Sequence, residues 1–242
     1  MGKTKHTGRA LKGSQHFLQN LVNDYPDYLN CLIYSGSPSL CAQTIDMPSW
    51  VSPLKKDDYL EYYDDDFLLA LDQPRSISQL TEFWPKNGPV WDALAAVKLT
   101  DGTKGVILLE AKSYIGELGS PSYHIGAKGQ SLDKINKSLD AVKDALGVNR
   151  DHDWVGDYYQ FANRLAHLYF FNLIAKVPAW LVYLHFIGDI EQGGPTTVSD
   201  WLKPISLLKE HLGLPQEYAL CNRIITVFSP TIAATTSSTK LK

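Results

Sequence analysis

With 242 residues, 44% of them hydrophobic and 11% aromatic, the chain can build a substantial core, and neither a disordered nor a low-complexity protein fits. Its 23 Lys and Arg against 26 Asp and Glu leave a formal net charge of −3, which excludes a uniformly basic coat but leaves room for a local phosphate-binding patch. Three cysteines, Cys31, Cys41 and Cys221, have no Cys-x-x-Cys spacing, which argues against a disulfide framework or a cysteine zinc site and for reduced thiols in a cytoplasmic protein.

Residues 1–14 read as a flexible basic arm carrying Lys3, Lys5, Arg9 and Lys12, more readily a solvated terminus than a phosphate-binding tail. The start is basic without an apolar stretch, so it is not a secretory signal. Phe17, Leu18, Leu21 and Val22 give a helical stripe over 14–22. Residues 23–56, rich in Pro, Ser and Asn, read as irregular, and the acidic run over 57–66 lacks the Gly and the spacing of a calcium loop. A short helix over 78–84 is ended by Pro85. Strand-like runs cover 92–99 and 106–112, separated by Thr100-Asp-Gly-Thr-Lys-Gly105, so a β-hairpin is expected.

The Gly-rich stretch 113–129 lacks the phosphate-loop pattern Gly-x-x-x-x-Gly-Lys. Apolar residues at helical spacing predict helices over 130–146 and 157–176; in the second, Gln160, Arg164 and His167 form a polar stripe. The apolar segment 168–188 is broken by Lys176 and Pro178, so two buried elements fit better than a membrane span. A strand over 180–187, a helix over 197–212 with Gly213 after it, a strand over 222–228 and a mobile tail from 231 complete the chain. The organisation expected is an arm (1–14), one domain (15–230, core about 76–190) and a tail (231–242), with an α/β fold.

The chemistry lies in Pro89-Val-Trp-Asp92 and Val106-Ile-Leu-Leu-Glu110-Ala-Lys112. Residues two apart on a strand share a face, so Glu110 and Lys112 point together. Pairing Leu99 with Gly105, or Thr100 with Lys104, puts Asp92 opposite Lys112 on that same face; a strict two-residue Asp101-Gly102 turn would send it to the other. Two carboxylates and an ammonium then meet. Asp92 and Glu110 suit a hard cation, Mg²⁺ or Mn²⁺, and Lys112 can orient or help deprotonate a water. The competing reading is a structural Glu–Lys pair at a strand end.

These residues resemble the PD-(D/E)xK, or restriction-endonuclease-like, nuclease superfamily over the expected core. The resemblance implies an αβββαβ core, a mixed central sheet flanked by helices with additions at both ends, and metal-dependent hydrolysis of phosphodiester bonds, foremost in DNA. It also implies that the Ala111 carbonyl completes the metal site. A further acid from a preceding helix would be Glu61 or Glu82, with Glu82 on the nearer helix favoured; Glu117, five residues past Lys112, reads more readily as an exposed loop acid than as a support for the metal ligands or a second-metal ligand. Gln160 and Arg164 match positions where a Gln or basic residue faces the site, although the branch with a Gln-x-x-x-Tyr motif would need Tyr where Arg164 stands. The rivals are a nucleic-acid-binding or assembly module that keeps the fold, and an enzyme acting on another phosphate compound.

Overall fold

A computed structural model describes residues 7–119 and 127–232. Lys3, Lys5, part of the Gly-rich stretch and most of the expected tail lie outside the described residues. Arg9 and its neighbours are held in place. The Arg9 guanidinium donates to Tyr59 Oη (2.7 Å) and Asn20 Oδ1 (2.6 Å), and Gly8 N–H donates to the Asp58 carbonyl.

Three helices open the described chain: α1 (Gly13–Asp24), α2 (Pro26–Gly36) and α3 (Pro38–Gln43). The last two, and the short strand β1 (Ser49–Ser52), occupy the region expected to be irregular. The prolines there are starters and not breakers. Pro26 and Pro38 stand at the first helical position, where the missing N–H has no partner to lose. α4 (Asp64–Ala70) draws its first turn from the acidic run, where negative charge is favoured by the helix dipole. α5 (Ile77–Phe83) precedes the expected hairpin, β2 (Ala93–Lys98) and β3 (Lys104–Lys112). Then come α6 (Gln130–Leu146), α7 (Tyr159–Tyr169) with a π turn over Phe170–Ile174, β4 (Ala179–Ile187), α8 (Val198–His211) and β5 (Ile224–Pro230). α8 opens with a Thr197–Asp200 capping box and runs through Pro204 unbroken.

The five strands lie in chain order. β2 runs antiparallel to its neighbours β1 and β3, and β4 and β5 run parallel to β3. The fold is therefore α/β, with a mixed five-stranded sheet between two helical layers. Val106 and Leu108 of β3 enter a core with α4 to α8, whereas Ile107, Leu109 and Ala111 enter a second core with α1 to α3. Covering on both faces explains why β3 carries an unbroken apolar run and not an alternating one.

Hairpin register differs by two residues from the expected one. Lys98 pairs with Lys104 and Ala93 with Leu109, so continuation of the ladder sets Asp92 opposite Glu110, not Lys112. Thr100, Asp101 and Gly102 form a three-residue loop. Gly102 takes φ +85°, Leu99 N–H donates to the Thr103 carbonyl, and Asp101 Oδ1 accepts the Thr103 N–H. A two-residue shift keeps the parity of the faces. Leu94, two residues on from Asp92, shares the core of Val106 and Leu108, which is the face of Glu110 and Lys112.

Gly36 ends α2 where it crosses β5. A Cβ there would stand 2.7 Å from Val227 Cγ1 and 3.0 Å from Ile225 Cγ2. Gly36→Ala should cost about 1–3 kcal/mol through overpacking. A thermal melt should show a drop of several degrees; an unchanged midpoint would mean that α2 does not lie so close to the sheet.

Candidate active site

The site forms at the C-terminal end of β3, where β2 has not yet begun. In a strand, the N–H and C=O of one residue point to the same neighbour, and successive residues alternate. Val106 N–H donates to the Pro178 carbonyl on the β4 side, so Ala111, of opposite parity, presents both groups to the β2 side. β2 offers no ladder partner there. Instead the Asp92 carboxylate takes its place, with Oδ2 accepting the Ala111 N–H at 2.8 Å. The Ala111 carbonyl faces the same edge.

Glu110 is almost fully buried, and both of its oxygens are engaged. Oε1 accepts from Lys112 Nζ at 2.5 Å and Oε2 from Arg164 Nε at 2.7 Å. Lys112 Nζ also donates to Gln160 Oε1 at 2.9 Å, which occupies a second of its three N–H donors. Gln160 and Arg164 lie one turn apart on α7, so a single helix face holds both Lys112 and Glu110. Arg164 further donates to the Val90 carbonyl (2.9 Å), and its guanidinium lies 4.9 Å from the centre of the Trp91 ring.

The segment leading to Asp92 is anchored from elsewhere as well. Trp91 N–H donates to the Tyr62 carbonyl, and Asp64 accepts the N–H groups of Asn87 and Gly88. The chain that ends in Tyr62 also supplies Glu61, 5% exposed, whose Oε1 accepts from Gln15 of α1 at 2.7 Å. Glu61 is an electrostatic neighbour of both Asp92 and Glu110.

Charge explains how these groups behave. Burial, then the adjacent Glu110 charge, pushes the Asp92 carboxyl up to about 7. Burial, then Asp92, pushes Glu61 up to about 8. Burial acts on Glu110 in the same direction, but Arg164 and Lys112 outweigh it and hold that carboxyl below the usual range. Burial would strip the proton from Lys112, yet Glu110 and Asp92 overcome it and keep the ammonium charged. Three acids thus face two cations.

Of the two acids weighed as a further ligand, Glu61 stands beside Asp92, whereas Glu82 is exposed on α5, outside this network. Glu61 lies in a loop between β1 and α4, so no helical pattern marked it. Glu117 is committed to its own loop. It accepts from the N–H groups of Ser113 and Tyr114 and from Ser14 Oγ, tying the start of α1 to the end of β3. His167 continues the α7 stripe but packs among Phe67, Trp84 and Trp91; burial pushes it down to about 3, so it is a neutral core histidine. On β4, Tyr183 pairs with Glu110 and His185 with Lys112. Tyr183 stacks on Phe161 at 4.5 Å, and His185 lies against Trp201 and Phe228, forming an aromatic wall behind the charged groups.

Among the described residues no group of three or more His, Cys, Asp or Glu side chains forms a metal cage. The donor set at this site is smaller: Asp92, Glu110 and a backbone carbonyl. It fits a hard cation on three counts. Asp92 Oδ2 accepts one hydrogen bond, and among the described residues Oδ1 accepts none. Each Glu110 oxygen has a second lone pair beyond the ion pair it makes. The excess of acids over bases favours an added positive charge.

Comparison with known proteins gives no relative: no protein-family model matches the chain, and neither a curated protein nor a solved structure matches it. Among the described residues no helix is long and apolar enough to cross a membrane.

Proposed function

We propose that this protein is a divalent-metal-dependent nuclease of the PD-(D/E)xK type that hydrolyses phosphodiester bonds, with DNA as the favoured substrate. The observation that carries this reading is the meeting of Asp92, Glu110, Lys112 and the Ala111 backbone at one strand end. The order α1, β1, β2, β3, α7, β4 supports it, because three antiparallel strands followed by a helix and a parallel strand match the αβββαβ core of the resembled superfamily.

Asp92, Glu110 and the Ala111 carbonyl would hold Mg²⁺ or Mn²⁺. The bound ion would lower the pKa of a water and offset phosphate charge. Glu110 and Asp92 keep Lys112 protonated in the metal-free protein and Gln160 anchors its ammonium, so the part proposed for it is that of a hydrogen-bond donor and a positive charge. Its third N–H is left to a water or a phosphate oxygen, where developing charge is stabilised by a donor already in place. The aromatic wall of Tyr183 and His185 keeps bulk water from the back of Lys112, which strengthens these interactions.

The engagement of both Glu110 oxygens by cations favours one rival, a binding or assembly module whose charged cluster serves only as structure. Two measurements separate the readings. Mn²⁺ at about a hundred times its dissociation constant should stabilise the fold by roughly 2.7 kcal/mol and raise the melting midpoint, and Asp92→Ala should abolish the shift. The wild-type protein should also cleave at least one of double-stranded, single-stranded or branched DNA with Mg²⁺ and not with chelator, RNA serving as the comparison. Metal binding without cleavage of any of these would favour the module.

A further inference from the structure

We propose that Arg164 is a positioning residue that sets the spacing between Asp92 and Glu110 before any ligand arrives. The proposal rests on the metal-site reading for its purpose, but its geometry stands apart from it.

The two acids belong to different strands and repel each other. Glu110 lies within β3, fixed by its ladder. Asp92 lies ahead of β2, whose ladder with β3 begins only at Ala93. Something other than strand pairing must therefore hold the 89–92 segment in register against β3. The Asp92–Ala111 hydrogen bond is one tie. Arg164 is a second, and it reaches both sides at once. Nε donates to Glu110 Oε2 at 2.7 Å, Nη2 donates to the Val90 carbonyl at 2.9 Å, and the guanidinium carbon lies 4.9 Å from the centre of the Trp91 ring.

A guanidinium is a rigid planar fork, so two bonds made by its different nitrogens fix the distance between their acceptors. Here those acceptors are the side chain of one acid and the backbone two residues before the other. The fork is in turn held by α7, on which Arg164 is 4% exposed. Its charge offsets part of the repulsion between the acids, and its shape decides how far apart they stand. A lysine in this place could supply the charge but not both bonds, because one ammonium on a flexible stem does not reproduce the fork.

The test uses Arg164→Lys and two readouts, one of them metal-free. Without metal, the Ala111 amide, which donates to Asp92, should exchange with deuterium at least ten times faster in the variant, while the melting midpoint stays within a few degrees of wild type. With metal, Mn²⁺ affinity measured by calorimetry should fall about tenfold, and kcat on a cleaved substrate should fall with KM for nucleic acid unchanged. Unaltered Ala111 protection in Arg164→Lys would overturn the proposal. If the wild-type protein neither binds Mn²⁺ nor cleaves, the nuclease reading fails, and the clamp is decided by Ala111 exchange alone. Should the variant not fold, the wild-type protein provides the same decision. The Arg164 Nε–H and the Ala111 N–H should then open with one common rate and pH dependence, and independent opening would overturn the clamp.

Discussion

Lys112→Ala should bind Mn²⁺ and nucleic acid as the wild-type protein does and lose cleavage by about 10²–10³-fold, the effect of removing one pre-placed donor from a developing charge. The separation of binding from turnover follows from the geometry. Lys112 contacts Glu110 and Gln160 and, among the described residues, has no partner for its third donor, whereas the candidate metal ligands are the two carboxylates and a carbonyl on the neighbouring residue. Its loss does not strand Glu110, because Arg164 still holds Oε2. Asp92→Asn and Glu110→Gln behave differently. Each keeps shape and removes a ligand charge, so each should lose metal affinity and cleavage together. Circular dichroism and melting curves establish that each variant is folded before its activity is compared. Cleavage that survives all three substitutions would place the active site elsewhere.

How far the sequence announced this arrangement depends on the range of the interactions. The unbroken Val-Ile-Leu-Leu run ahead of Glu110 signals a strand covered on both faces, and β3 is one. The period-two rule places Glu110 and Lys112 together, and they are 2.5 Å apart. Hairpin parity could be argued from the turn, but the exact register could not. Whether the loop holds three residues or more depends on how Asp101 and Gly102 share the hydrogen bonds of Leu99 and Thr103. The helices of 26–43 were hidden because Pro is read as a breaker, although at a first helical position it is a starter. Local spacing favours Glu82 over Glu61 for a similar reason. An acid on a helical pattern is visible from local spacing, whereas the place of Glu61 beside Asp92 depends on Gln15 and on the loop that Tyr62 ties to Trp91. The fork of Arg164 also joins parts of the chain that lie 54 and 74 residues away, and local spacing carries no trace of it.

Without metal, the protein should lose stability as pH rises from about 6.5 to 8, above the range in which the buried neutral His167 and His185, both pushed down to about 3, add stability with rising pH, and Asp92→Asn should be the more stable protein at pH 8. Asp92 has its carboxyl raised to about 7 by burial and then by Glu110, and Glu61 has its carboxyl raised to about 8 by burial and then by Asp92. In the unfolded chain both would ionise near 4. Between these limits the folded state keeps protons that the unfolded state has released. Stability contributed by a raised carboxyl is therefore complete at low pH and disappears as pH climbs through the folded value. The two effects do not simply add, since protonating Asp92 removes a charge that raised Glu61. A net change on the order of 2 kcal/mol is expected, which moves the melting midpoint by roughly 4–8 °C in a domain of this size. The carboxamide cannot ionise, so Asp92→Asn should reduce the slope and leave the part that burial of Glu61 supports. Mn²⁺ should act in the opposite sense on the wild type. It requires the ionised carboxylates, so its affinity and its stabilising effect should both grow through the window in which the metal-free protein weakens. On the metal-site reading, the loss at high pH is the cost of keeping acids buried together for a cation. Melting curves at pH 5, 6, 7 and 8, with chelator and with Mn²⁺, read all of this at once. An Asp92→Asn protein with the same slope as wild type would show that Asp92 is not held protonated in the fold.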